Sequence, residues 1–442
     1  MPMNRYLEEY RAKQVSLDDV LAQIKDGDFV ATSGGINAPF LFYQNIHKIA
    51  PRLKEKIDFF YGCTVRKGEL EFLENEECKK KFNTISGFVL SGDERECLRA
   101  GYEDYMPTHY HSQCKKMLQA HDGLDIYVAA VCPMDERTGY FRTSLSNVNE
   151  SEFRDAAKKI YLEVVPSLPV IYGNNEIHIS EVDGIYEHDR PLDTMAPGVF
   201  GEVEQKIGEY VADLVEDGST IQLGIGAIPD AVAHAFLGKK DLGVHTEMIT
   251  NSILDLVEAG VITGRKKTIN RGIIVGSFSR GTQKLYDFMD HNPCVAMHPC
   301  SYVNNPYVIA QNYKMVSINT AMGIDLFGQV SSESIGPRQY SGTGGQVDTV
   351  TGAIHATGGK SIIAMASTAK KGTLSKICLF HAPGTVVTLS RNDVDYVATE
   401  YGIVRLGGKT VRERAKLLIS IAHPKFREEL TRQAKEAGLL EY

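Results

Sequence analysis

The 442-residue chain is 43 % hydrophobic and 24 % charged, the balance of a folded protein with length enough for two domains. Its net charge of −8 comes without a basic stripe, which excludes a general nucleic-acid binder. No apolar run approaches the roughly 18 residues of a membrane helix, and Met1–Lys13 lacks an apolar signal core, so a cytoplasmic protein without membrane attachment is expected.

Residues 16–26 read as an amphipathic helix, with Ser16 at the N-cap and Leu17, Val20, Leu21 and Ile24 on one face. Gly27 ends it, Phe29-Val30-Ala31 begins a strand, and Ser33-Gly34-Gly35 breaks that strand before Pro39 and a helix near 40–50. Short apolar runs then alternate with helical stretches through Val89-Leu90, Ile126–Val131 and Lys159–Val165. That order favours largely parallel sheets with helices on their faces. The irregular stretch 186–198 marks a joint, and two domains are expected, 1–190 and 191–442.

The second domain opens by repeating the first. Val211–Pro229 runs helix, Asp217-Gly218, strand, glycine turn and proline, as Val20–Pro39 does through Asp26-Gly27. The turn Gly224-Ile225-Gly226 can aim backbone N–H groups at a phosphate or carbonyl oxygen. It is not a dinucleotide fingerprint, because Pro229 stands where the third glycine belongs. A further apolar run, 242–249, carries one acid, Glu247, which by itself reads first as a solvated acid near a helix start.

Strands are expected at 272–276, 294–297, 315–318 and 361–366. Between the last two lies Ser341-Gly-Thr-Gly-Gly-Gln-Val-Asp348, followed by Gly352, a glycine density that argues against a helix interior or a good strand. It reads as a loop whose backbone approaches a ligand closely. The eight cysteines include no CxxC pair, the pattern of reduced thiols. His291, Cys294, His298 and Cys300 are spaced like no standard zinc site, nor are His109, His111 and Cys114, and no metal site is expected.

Gln222–Pro229, Leu242–Met248, Asp325–Val330, Ser341–Asp348 and Ala398–Gly402 together resemble the acetyl-CoA hydrolase/transferase family, which includes 4-hydroxybutyrate and butyryl-CoA:acetate CoA-transferases. Cys132–Glu136 with Gly139-Tyr140 and Ile177–Glu181 extend the resemblance along nearly the whole chain. It implies two related open α/β CoA-transferase domains, each with a mainly parallel sheet flanked by helices, and a homo-oligomer. It also implies ping-pong exchange of CoA between short-chain acids, with coenzyme A as substrate and no permanently bound cofactor. Glu247 matches the family's catalytic glutamate, and Gly224, Ile225, Gly226, Ala227, Ile228, Met322 and Gly345 match its CoA contacts. The Gly344-Gly345 backbone is the candidate oxyanion donor. An acyl-CoA hydrolase using the same glutamate is the alternative, and Glu400 reads as structural.

Three departures from the family pattern stand out, of which the two in the N-terminal domain bear on the acid. Thr349 stands where the family reads Phe, and 140–146 and 163–169 depart from its pattern. Arg142, in place of a small polar residue, would face an acyl pocket without a partner unless the substrate carried a polar or carboxylate end. On that reading Arg142 points to itaconate, succinate or 4-hydroxybutyrate, and butyrate and acetate are the plain acids the resemblance also implies. The opposing reading pairs Arg142 with a nearby acid such as Glu152, or turns it to solvent.

Overall fold

The computed structural model describes residues 5–65, 68–69 and 71–441. The chain forms two compact units, one running up to Met195 and including Gly276–Tyr302, the other comprising Ala196–Val275 and the chain from Val303 onward. No sequence signal announced the return of Gly276–Tyr302 to the first unit.

The first unit is built on seven parallel strands in the order Gly184–Glu187, Ala157–Val164, Leu124–Val131, Phe29–Thr32, Ile57–Tyr61, Phe82–Ser86, Asp104–Tyr105. Successive side chains of a strand leave opposite faces, and both faces are covered here. Val30, Phe59, Tyr61, Ile126 and Val128 pack with Val20, Phe42 and Ile49 on one side. On the other, Phe29, Ala31, Phe60, Tyr127 and Ala129 pack with Met117 and Phe153. This two-sided burial explains the near-continuous apolar runs of the sequence.

The second unit is built on a six-stranded sheet in the order Gly243–Val244, Thr220–Leu223, Met315–Thr320, Lys360–Ala364, Tyr396–Thr399, Gly402–Arg405, all parallel except the last. Helices Val411–Ile421 and Pro424–Glu436 cover Ile363 and Val397. Mainly parallel sheets flanked by helices are thus the architecture of both units.

The repeated opening folds alike in the two units. Ser16 caps helix Leu17–Gln23, and Glu202–Leu214 is its counterpart. Gly27 and Gly218 both adopt left-handed φ, at 78° and 75°. Gly27 donates its N–H to the Lys56 carbonyl and Gly218 to the Lys240 carbonyl. The preceding aspartates act alike too, since Asp26 accepts from the Lys54 N–H and Asp217 from the Lys240 N–H. Each Asp-Gly pair thereby ties its own strand to the start of the next.

Two local expectations change. Val89-Leu90 is not a strand; the strand is Phe82–Ser86, and the Leu90 N–H is taken by the Glu94 carboxylate at 2.6 Å. Val89 is fully buried, so its apolar character reflects burial without a ladder. The glycine-rich stretch also yields a helix, Gln346–His355, with Gly352 in its interior. A Cβ at 352 would overlap the Ile309 side chain, so glycine lets this helix lie closely on Pro306–Ile309 at a cost of about 1 kcal/mol in helix propensity. Among the described residues, no helix is long and apolar enough to cross a membrane.

Candidate active site

The strand order of the second sheet reverses at Thr220–Leu223, with the next strand in the chain, Gly243–Val244, on one side and the later Met315–Thr320 on the other, both parallel to it. In open α/β sheets the crevice beyond the carboxyl ends of strands at such a reversal is where ligands bind. Gly224-Ile225-Gly226 leaves one of these strands and Met322 follows the other. Gly226, at φ 107° and ψ −178°, caps helix Ala227–Ala235. That backbone region is essentially reserved for glycine. Pro229 falls in the first helical turn, where its missing N–H costs no helical bond. The turn is open, with Ile225 44 % exposed. Helix-start N–H groups and open space are what an anionic or carbonyl oxygen needs.

Glu247 lies on the same edge, in the link between Gly243–Val244 and Met248–Ile249. It is not a solvated helix-start acid, because the next helix begins only at Asn251. Its neighbour Thr246 donates its hydroxyl to the Leu223 carbonyl at 3.3 Å, beside Gly224. Asn304 Nδ2 donates to Glu247 Oε2 at 2.7 Å, and the Gly345 N–H donates to the same carboxylate. A Cβ on Gly345 would overlap both Asn304 Nδ2 and Glu247 Oε2. Gln346 then ties this corner to the Met322 side by donating Nε2 to the Thr320 carbonyl at 2.8 Å. Glu247, Gly345, Met322 and the 224–228 turn therefore share one edge of one sheet.

Burial pushes the Glu247 pKa up to about 7, with the nearby Asp348 charge adding to the rise, while the Asn304 and Gly345 hydrogen bonds oppose it. A carboxyl whose pKa is raised this far, beyond the carboxyl ends of a mainly parallel sheet, marks a functional-site candidate. Gly345 itself has φ −96°, and the left-handed φ of 55° belongs to its neighbour Gly344. Asn304 is the residue that sequence reasoning missed. It is an ordinary asparagine 57 positions from Glu247, and only the fold joins them. Beneath the site, buried Lys267 donates Nζ to the Val244 and Ile273 carbonyls, each at 2.7 Å, and burial lowers its pKa to about 7.

Models of the acetyl-CoA hydrolase/transferase N-terminal and C-terminal domains match residues 2–196 and 281–434. The chain is 42 % identical to the succinyl-CoA:cyclohexane-1-carboxylate CoA transferase of Geobacter metallireducens, over 97 % of each protein. It is 41 % identical to the 4-hydroxybutyrate coenzyme A transferase of Clostridium kluyveri, over 97 % of this chain and 99 % of that one. The crystal structure of RipA from Yersinia pestis superimposes with a TM-score of 0.90 at 33 % identity, covering 98 % of this chain and 100 % of RipA. The chain belongs to the acetyl-CoA hydrolase/transferase family. It is an enzyme of the CoA-transferase class.

The residues that depart from the family pattern are accommodated locally. Thr349 Oγ1 accepts from Ser317 and Asn319, in a buried polar group with Gln222. Arg142 meets a carboxylate, but it is Glu176 rather than Glu152, at 3.3 Å, and its guanidinium lies 5.4 Å from the Tyr172 ring centroid. It lines a cavity of about 590 Å³ within the first unit, together with Cys132, Arg137, Tyr172, Asp290 and His291. The Glu176 charge removes the argument that Arg142 needs a substrate carboxylate to avoid an unpaired cation. Glu400 accepts from the Ser367 N–H and hydroxyl, a loop-fixing role. Among the described residues, no group of three or more His, Cys, Asp or Glu side chains is arranged to hold a metal ion.

Proposed function

We propose that Glu247 is the nucleophile of a ping-pong CoA transfer between short-chain carboxylic acids. The observation that carries this reading is its carboxylate, partly desolvated and gripped by Asn304 and Gly345 at the carboxyl edge of the second sheet. In the first step a Glu247 oxygen attacks the thioester carbonyl, the C–S bond breaks, and CoA leaves as thiolate, giving an acyl-glutamyl anhydride. The thiolate then attacks the glutamyl carbonyl, the anhydride C–O bond breaks, and the donor acid leaves. The resulting glutamyl-CoA thioester is resolved by an acceptor carboxylate through the same steps in reverse. In the second step negative charge develops on the glutamyl oxygen, which Asn304 Nδ2 and the Gly345 N–H already face. A single such donor is worth about 10²–10³-fold in rate.

Gly224–Ile228 and Met322 are assigned to CoA, supported by the open glycine turn, the helix start and the strand reversal. Contacts to the distant nucleotide would hold the thioester at the carboxylate, and such positioning reaches effective molarities of about 10⁵–10⁸ M in favourable cases. The acids proposed are 4-hydroxybutyrate, butyrate, acetate, succinate or itaconate. Arg142 would bear on that choice as an Arg142–Glu176 pair in a cavity wall, and Arg142→Ala assayed on succinate against butyrate tests it. A cytoplasmic homo-oligomer is proposed, with light scattering as the check on assembly. The deciding experiment adds borohydride after acyl-CoA. A reduced residue at 247, absent in Glu247→Gln, is expected, and label on any other acid overturns the assignment. Turnover of acyl-CoA should require an added acid, whereas acceptor-independent turnover would make the protein a hydrolase.

A further inference from the structure

The 2.7 Å contact between Asn304 and Glu247 joins two segments that are remote in sequence, so something must hold them in register. One side chain spans the same gap. His245, two residues before Glu247, places Nε2 2.8 Å from the carbonyl oxygen of Val303, the residue before Asn304. A carbonyl only accepts, so Nε2 carries the proton and donates. The two contacts form parallel rungs between the same two stretches, His245 to Val303 and Glu247 to Asn304.

The His245 rung has a fixed base. Its backbone N–H donates to the Ile221 carbonyl at 3.1 Å, and the residue forms a parallel bridge to Val275. Thr246 continues the attachment with its N–H on the Val275 carbonyl at 3.0 Å, and Lys267 holds the Val244 carbonyl. His245 is only 1 % exposed and Asn304 is wholly buried, so water cannot readily replace the imidazole bond. The imidazole thereby ties the position of Val303, and with it the Asn304 amide, to the central sheet.

We propose that His245 is a positioning residue for CoA transfer, setting the distance between the Asn304 amide and the Glu247 carboxylate through its bond to the Val303 carbonyl. Its assigned role is exercised through the Asn304 amide. The proposal rests on the reading of Glu247 as nucleophile. Losing the rung lets the amide drift from the oxygen on which charge develops, and misplacements of about 1 Å in such sites cost up to about 10²-fold.

The test is a set of variants assayed on acyl-CoA at saturating acceptor. His245→Phe keeps the ring and removes the donor, and is expected to lower kcat about 10- to 100-fold with KM for acyl-CoA unchanged. His245→Gln, whose amide nitrogen reaches the Nε2 position, is expected to retain most of the turnover. Asn304→Ala lowers kcat on its own, and His245→Phe/Asn304→Ala is expected to be no worse than that single variant, because one residue acts through the other. Near-normal turnover in His245→Phe, losses that multiply in the double variant, or equal loss in His245→Gln would each overturn the proposal. Should His245→Phe not fold, His245→Asn replaces it, since its shorter side chain keeps an amide that falls short of Val303. Glu247→Gln separates the two readings. Full activity there defeats the nucleophile, whereas an inactive Glu247→Gln beside a normal His245→Phe defeats only the positioning role.

Discussion

At the scale of single residues, the ionisation of Glu247 links stability to activity. Its folded pKa of about 7 lies above the ordinary 4.5 because burial disfavours the charge. Between those values the folded chain holds a proton that the unfolded chain has lost, so this group's contribution to stability falls as pH rises. Glu247→Gln should therefore melt above the wild type at pH 8, with the difference shrinking toward pH 5, while its turnover collapses. Paired melting curves at the two pH values check the sign. For the free wild-type enzyme, kcat/KM should rise with pH through an acid limb near 7, as the carboxylate forms. Gly345→Ala places a methyl group where Asn304 and Glu247 already sit. It should lose turnover by a larger factor than its melting temperature would suggest, and near-normal kinetics would remove this residue from the site.

At the scale of elements, two glycines serve different physical ends. Gly226 has open space around its missing Cβ, so Gly226→Ala meets no steric barrier. Its φ of 107° and ψ of −178° still penalise any side chain, by about 1–3 kcal/mol. A urea titration should show that loss of stability, with KM for acyl-CoA rising as the turn relaxes. Gly352 is the reverse case, an ordinary helical position with Ile309 against it. Its presence defeated the sequence reading of 346–352 as loop, while 341–345 is loop as read, because glycine density reports either backbone freedom or close packing. Only the neighbouring helix distinguishes them. Val89-Leu90 failed for a related reason, since an apolar run signals burial, and Glu94 rather than a strand takes the Leu90 amide.

At the scale of the whole molecule, the first unit is incomplete without Gly276–Tyr302. Within that unit the Asn147 N–H donates to the Ser277 carbonyl, and the Cys300 N–H to the Val148 carbonyl. Strand Tyr172–Gly173 pairs with Val295–Met297, and a Cβ at Gly173 would overlap the Met297 backbone. A fragment ending at Met195 would leave these partners unsatisfied. It should lack a cooperative thermal transition, and joining 276–302 to it through a flexible linker should restore one. A cooperative transition in the short fragment would show that the returning segment is dispensable.

The sequence by itself determined the α/β order, the parallel sheets, the repeated Asp-Gly opening and the family. These depend on local periodicity, on glycine and proline punctuation, and on short runs whose meaning survives without a partner. It also singled out Glu247 and the 224–228 turn, through residues adjacent in the chain. Tertiary structure decided what depends on pairs remote in sequence. Asn304 and Gly345 on the Glu247 carboxylate, His245 on Val303, Glu176 on Arg142 and Ile309 on Gly352 are such pairs. Hydrogen bonds and close packing act over a few ångströms of space, and a linear pattern carries no record of which distant residue the fold brings within that reach.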